Sequence, residues 1–152
     1  MTKRKKIATT FVTELSALSI AGGYKVDFPT AKHWAVNVIP KEKETTVIIR
    51  DTLSRDFESE ENSTEKLNIE ILLGVCIEDE NYDTIDAMVD DIKKWHSNNH
   101  HRIEEELNLL QIKYVSDELG VDQLEKQIGV AKVLFEVATG QHCNWIYDDT
   151  EY

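Results

Sequence analysis

The chain has 152 residues, 41% of them hydrophobic, and its 17 Lys and Arg against 29 Asp and Glu give a formal net charge of −12. That is enough chain and apolar content for one domain with a buried core, which excludes a disordered tail and a fibrous repeat. The acidic excess argues against DNA or an anionic membrane as the main binding partner, because phosphate affinity comes from Lys and Arg neutralising a polyanion.

No apolar stretch approaches the roughly 18 residues that a helix needs to cross a bilayer, so no membrane partner is expected. The start is basic, but residues 7–20 are interrupted by Thr9, Thr10, Thr13, Glu14 and Ser16, an amphipathic pattern and not a secretory signal core. An intracellular protein is expected. Cys76 and Cys143 lie outside any CxxC context and suggest neither a zinc ribbon nor a disulfide scaffold.

In chain order, the cluster Lys3, Arg4, Lys5 and Lys6 reads as a solvated, frayed extension over residues 1–6. Ile7, Phe11, Leu15 and Leu18 then form the stripe of a first helix, which Gly22 and Gly23 end. Tyr24, Val26 and Phe28 alternate with polar residues as a short extended segment. Trp34, Val36 and Val38, then residues 45–50, read as the two arms of a β-hairpin around a charged turn at 41–44. Residues 51–64, crowded with Ser, Asp, Glu and Asn, read as a long mobile acidic loop whose only apolar residues are Leu53 and Phe57. Loops of that length in a compact domain are usually functional, so Asp51, Leu53, Arg55, Phe57, Glu60 and Glu61 are candidate assembly residues.

Leu67, Ile69, Ile71, Leu73, Val75 and Ile77 alternate as the clearest strand, and the doubly apolar middle marks it as central. Asp79 and Asn81 are candidate caps of a second helix with Ile85, Met88, Val89, Ile92 and Trp95 on its buried face. A polar break is expected at 96–101, strand-like alternation at Leu110, Ile112 and Tyr114, a turn at 116–120, and a last strand over 130–139. Residues 140–152 form an acidic tail in which Trp145 and Tyr147 are candidate subunit contacts. The whole predicts a single α+β domain over 1–152, with a mainly antiparallel sheet and two main helices packed on one face.

Chemistry is sparse. His96, His100 and His101 invite a metal reading, but HExxH is absent and no carboxylate is recognised at ligand spacing, so the cluster reads as a solvated loop. Asp79, Glu80, Asp83, Asp86, Asp90 and Asp91 lack the pattern of a calcium loop and read as a solvated helix face. His142 and Cys143 are adjacent, so in a strand they point to opposite faces and make a poor nucleophile and base pair. With no GxGxxG, GxxxxGK[ST] or GxSxG, no catalytic residue, cofactor or resident metal is expected.

The first helix ending before Gly23 and Tyr24, the strand over 67–77 after a polar loop, the Asp-rich helix over 82–95 and the closing Val130, Ala131, Lys132, Val133, Leu134, Phe135, Glu136 and Val137 form a further pattern. It resembles the tail terminator, or tail-completion, proteins of long-tailed bacteriophages, over residues 7–139. The resemblance implies a non-enzymatic virion protein that forms a hexameric ring, caps the tail tube, ends tail elongation and joins the tail to the head. Its implied partners are further copies of itself, the tail tube protein, a head–tail connector protein and DNA passing through the lumen, which an acidic wall would repel. Assembly would take place in the host cytoplasm. Alternatives are another connector or minor tail protein, an acidic dimeric adaptor, and a small metal-dependent enzyme such as a nuclease built on the His96 cluster and the acids from Asp79 to Asp91.

Overall fold

The computed structural model describes residues 2–33, 45–57, 63–76, 81–123 and 127–138. Its elements run α1 (Lys3–Ser16), β1 (Lys32–His33), β2 (Thr45–Phe57), β3 (Ser63–Cys76), α2 (Asn81–Glu106), β4 (Gln111–Gln123) and β5 (Gln127–Ala138). The strands form one sheet in the order β1-β2-β3-β5-β4, parallel between β1 and β2 and antiparallel elsewhere. Both helices bury their apolar stripes on one face of it, which is the expected α+β layering.

β3 is the middle strand and pairs along both edges, as its apolar pattern predicts. Leu67, Ile69, Ile71, Leu73 and Val75 point to the helices and are buried. Opposite them in register stand Val47 and Ile49 on one side, and Ala131, Val133, Phe135 and Val137 on the other. Phe135 lies at the hub: its ring is 5.7 Å from Phe11 of α1 and 6.3 Å from Trp95 of α2, and those two rings meet edge to face at 5.3 Å. Burial of each large apolar side chain contributes about 1.5–3 kcal/mol, so this contiguous cluster is the main source of stability. Trp95 is thus a core residue.

The basic N-terminus is part of the fold and not a frayed extension. Thr2 caps α1 by accepting the Lys5 backbone N–H at 3.1 Å. Cations in a first turn oppose the helix dipole, but here tertiary partners hold them: Lys3, 7% exposed, donates to the Asn108 carbonyl at 3.1 Å, and Arg4 pairs with Asp51. α1 stops at Ser16, earlier than the glycines suggested. A separate turn follows, with Gly22 N–H to Ser19 and Gly23 N–H to Ile20, and Gly23 takes φ +97° there, a value that favours glycine. Residues 24–28 are not a strand. The buried Asp91 carboxylate of α2 instead accepts the backbone N–H groups of Lys25 (2.9 Å) and Val26 (3.0 Å), pinning the segment to the helix.

Residues 34–44 of the expected hairpin lie outside the described residues; among those described, residues 45–50 pair antiparallel with β3, and Ile48 and Ile49 pair parallel with β1. Two further expectations are corrected. Residues 51–57 and 63–64 are strand and not loop, because β2 and β3 stay in register from Thr45 opposite Val75 to Phe57 opposite Ser63. Residues 116–120 belong to β4, where a bulge between Tyr114 and Ser116 shifts the alternation by one, so that Asp117 and Leu119 face the helices after Ile112 and Tyr114.

That shift puts Asp117 beneath α2, where it accepts from Lys93 Nζ at 2.7 Å and from the Tyr114 hydroxyl. The hydrogen bond from Lys93, then that from Tyr114, holds the Asp117 carboxyl below the usual carboxylate range despite its partial burial. A depressed folded-state pKa gives stability that is present above the unfolded value, about pH 4, and lost as pH falls through the folded one. Asp117→Asn is therefore expected to be less stable than the parent at pH 7 and to lose less on further acidification below about pH 4. Melting temperatures across that range check it; parallel acid limbs would refute the assignment.

Candidate functional site

Two places on the molecule are not accounted for by the core. The first is the far end of the β2–β3 hairpin. Among the described residues β5 joins β3 from Leu67, opposite Val137, onward, so Ser54–Phe57 and Ser63–Lys66 pair with each other beyond the last described β3–β5 rung. Four residues per strand make an arm about 13 Å long at roughly 3.4 Å per residue. Among the described residues nothing else pairs with it, and a two-stranded ribbon is marginal in water without something to rest against.

The six residues expected to form an assembly loop divide accordingly. Arg55 and Phe57 lie on the arm, opposite Glu65 and Ser63. Glu60 and Glu61 lie outside the described residues, as do Trp145 and Tyr147 of the tail. Leu53 packs on the core and Asp51 is buried inside the subunit. Asp51 takes Arg4 from α1 and His33 from β1, so it ties three elements together and is not a surface contact.

The second place is the histidine face of α2, where the expected polar break is absent: α2 runs through residues 96–101 to Glu106. Ile103, 1% exposed, anchors the last turns to the core. Helical spacing lines up His96, His100 and Glu104, and the first residues of β4 fix two of them. The Ile112 carbonyl accepts from His96 Nε2 at 2.7 Å, and the Ile112 N–H donates to Glu104 Oε2 at 2.7 Å. Desolvation pushes the His96 pKa below its ordinary value, which keeps the ring neutral at pH 7. It stacks on His100 with centroids 4.9 Å apart. Burial acts to raise the Glu104 pKa, but the Ile112 N–H together with His100 and His101 outweighs it and leaves the group an anion.

His100, His101 and Glu104 each offer one ligand atom, and the three atoms lie within 4.8 Å of one another. A carboxylate does therefore sit at ligand spacing, four residues after His100; treating 96–101 as a break hides it. The aspartates of α2 do not join this group. Asp83, Asp86 and Asp90 are exposed, Asp90 pairing with Lys25 at 3.1 Å, and Asp91 is spent on the Lys25 and Val26 backbone N–H groups. Asp90 is also ten residues before His100, about 15 Å along the helix axis. Asp79, Glu80, His142 and Cys143 lie outside the described residues.

No protein-family model matches the sequence, and no curated protein matches it either. No helix among the described residues is long and apolar enough to cross a membrane.

Proposed function

We propose that this chain is the subunit of a homo-oligomeric ring of the tail-terminator type, capping a phage tail tube and joining it to the head without catalysing a reaction. The observation that carries this reading is the β2–β3 arm. A ribbon whose strands, among the described residues, pair only with each other gains support when it lies on a neighbouring subunit. A ring closes through heterologous contacts, in which one patch of each subunit meets a different patch of the next. An arm at one end of the sheet meeting the body of the next subunit has that geometry. The net charge of −12 suits a lumen through which DNA slides without adhering. Another neck or connector ring would use the same features, and the partner offered to the ring distinguishes them.

The test is native mass by light scattering over a concentration series, with negative-stain images of the same samples. The full chain is expected to approach six subunits and show rings. A variant in which Arg55 and Glu65 are joined through an Asn-Gly turn keeps the register and removes the arm's tip. It is expected to stay monomeric with an unchanged melting temperature. A parent that remains monomeric throughout, or a shortened variant that assembles as before, overturns the reading.

A further inference from the structure

We propose that His100, His101 and Glu104 bind one divalent transition-metal ion, with zinc the best fit, through His100 Nδ1, His101 Nδ1 and Glu104 Oε1. The assembly role neither requires nor supplies this site.

The distances support a shared ion. Glu104 Oε1 is 3.3 Å from His100 Nδ1 and 3.4 Å from His101 Nδ1. Charge-assisted N–H···O bonds are shorter, about 2.7–2.9 Å. Two ligands of one tetrahedral zinc ion, each at about 2.0–2.1 Å, stand about 3.4 Å apart. The two spacings from Glu104 to the imidazoles are therefore those of neighbouring ligands on a coordination tetrahedron, and all three residues offer ligand atoms within 4.8 Å of one another. Two imidazoles and a carboxylate are a donor set of borderline softness, which selects zinc and its neighbours over calcium or magnesium.

The surroundings prepare the ligands. Glu104 Oε2 accepts the Ile112 N–H at 2.7 Å, which fixes the carboxylate beside the two imidazoles, with His100 Nδ1 3.2 Å from Oε2 and 3.3 Å from Oε1. His100 is steadied by the His96 ring stacked on it, and His96 is itself held by the Ile112 carbonyl. One peptide unit at the start of β4 thus orients both a ligand and the support of another, the kind of outer contact on which metal affinity depends. His101 is 88% exposed and reaches the ion position from solvent, so the fourth coordination position is left to water.

The test uses tag-free protein stripped with chelator, titrated calorimetrically with zinc chloride, and with cobalt(II) followed by visible absorption. One equivalent of zinc is expected, with a tetrahedral cobalt spectrum that zinc displaces and no comparable heat from calcium. His101→Ala removes an exposed ligand without touching the core and is expected to weaken binding at least about tenfold, since even outer-shell changes cost that much. A paired Asp83→Ala, Asp86→Ala control, removing two exposed acids of the same helix, is expected to bind as the parent does. No saturable zinc binding, equal binding by His101→Ala, or equal loss in the acid control would each overturn the site; the last would show diffuse attraction by the acidic surface.

Discussion

An Ile71→Asp variant is expected to show no cooperative thermal unfolding transition. Ile71 is fully buried at the middle of the central strand, flanked by Ile49 on β2 and Val133 on β5 with both helices above. The substitution removes a large apolar side chain, at about 2–5 kcal/mol, and leaves a carboxylate with no described partner at that depth, at several kcal/mol more. Together these match the whole stability of a typical domain, about 5–15 kcal/mol. Leu72→Asp is the control, because Leu72 points to the opposite face, is itself only partly buried, and shares its rung with Ile48 and Lys132. It is expected to melt cooperatively at a lower temperature. Circular dichroism melts of both decide the matter; an Ile71→Asp protein melting within a few degrees of the parent would show that β3 is not where the core is centred.

What was legible in the chain and what was not follows from how each segment is buried. β3, β5 and α1 each bury one face under a single period, so the residues that make the core also make the pattern. The outer half of β2 has no such pattern. Beyond Leu53 the sequence Ser54, Arg55, Asp56 is polar on both sides, and its pairing with β3 is made by backbone groups that carry no side-chain signature. β4 was obscured by one residue: its bulge moves Asp117 and Leu119 onto the face that Ile112 and Tyr114 begin, so simple alternation fails at Ser116.

The histidine face was lost for a related reason. Ser97, Asn98 and Asn99 are weak helix formers and read as punctuation, but tertiary packing overrides a propensity of a few tenths of a kcal/mol per residue. Ile103, eight residues after Trp95, carried the signal that the helix continues, since both are buried on the same face. With that anchor the spacing of Glu104 to His100 is readable from sequence. Its fixing by Ile112 is not, because that contact depends on where β4 begins.

Asp51→Ala is expected to destabilise the protein by about 3 kcal/mol, a fall of roughly 6–12 °C in melting temperature for a chain of this size. Asp51 is 3% exposed, and it takes the Arg4 guanidinium, which also donates to its backbone carbonyl at 2.8 Å, together with the His33 ring. Its loss leaves the cations of the first turn of α1 facing the helix dipole with one fewer counter-charge. The Arg4 side chain is 34% exposed and can turn to water, which keeps the cost at the low end of that for a broken buried pair. Arg4→Ala does the converse and takes the guanidinium away from a buried carboxylate. The double variant should therefore lose at least about 1 kcal/mol less than the two single losses added together, because the carboxylate that lost its guanidinium is gone. Strict additivity in chemical denaturation would mean that the two side chains are not coupled. The same variant separates a structural role for Asp51 from an assembly contact: below its melting temperature the folded Asp51→Ala protein is expected to reach the native mass of the parent, since the residue lies inside the subunit and not on the arm.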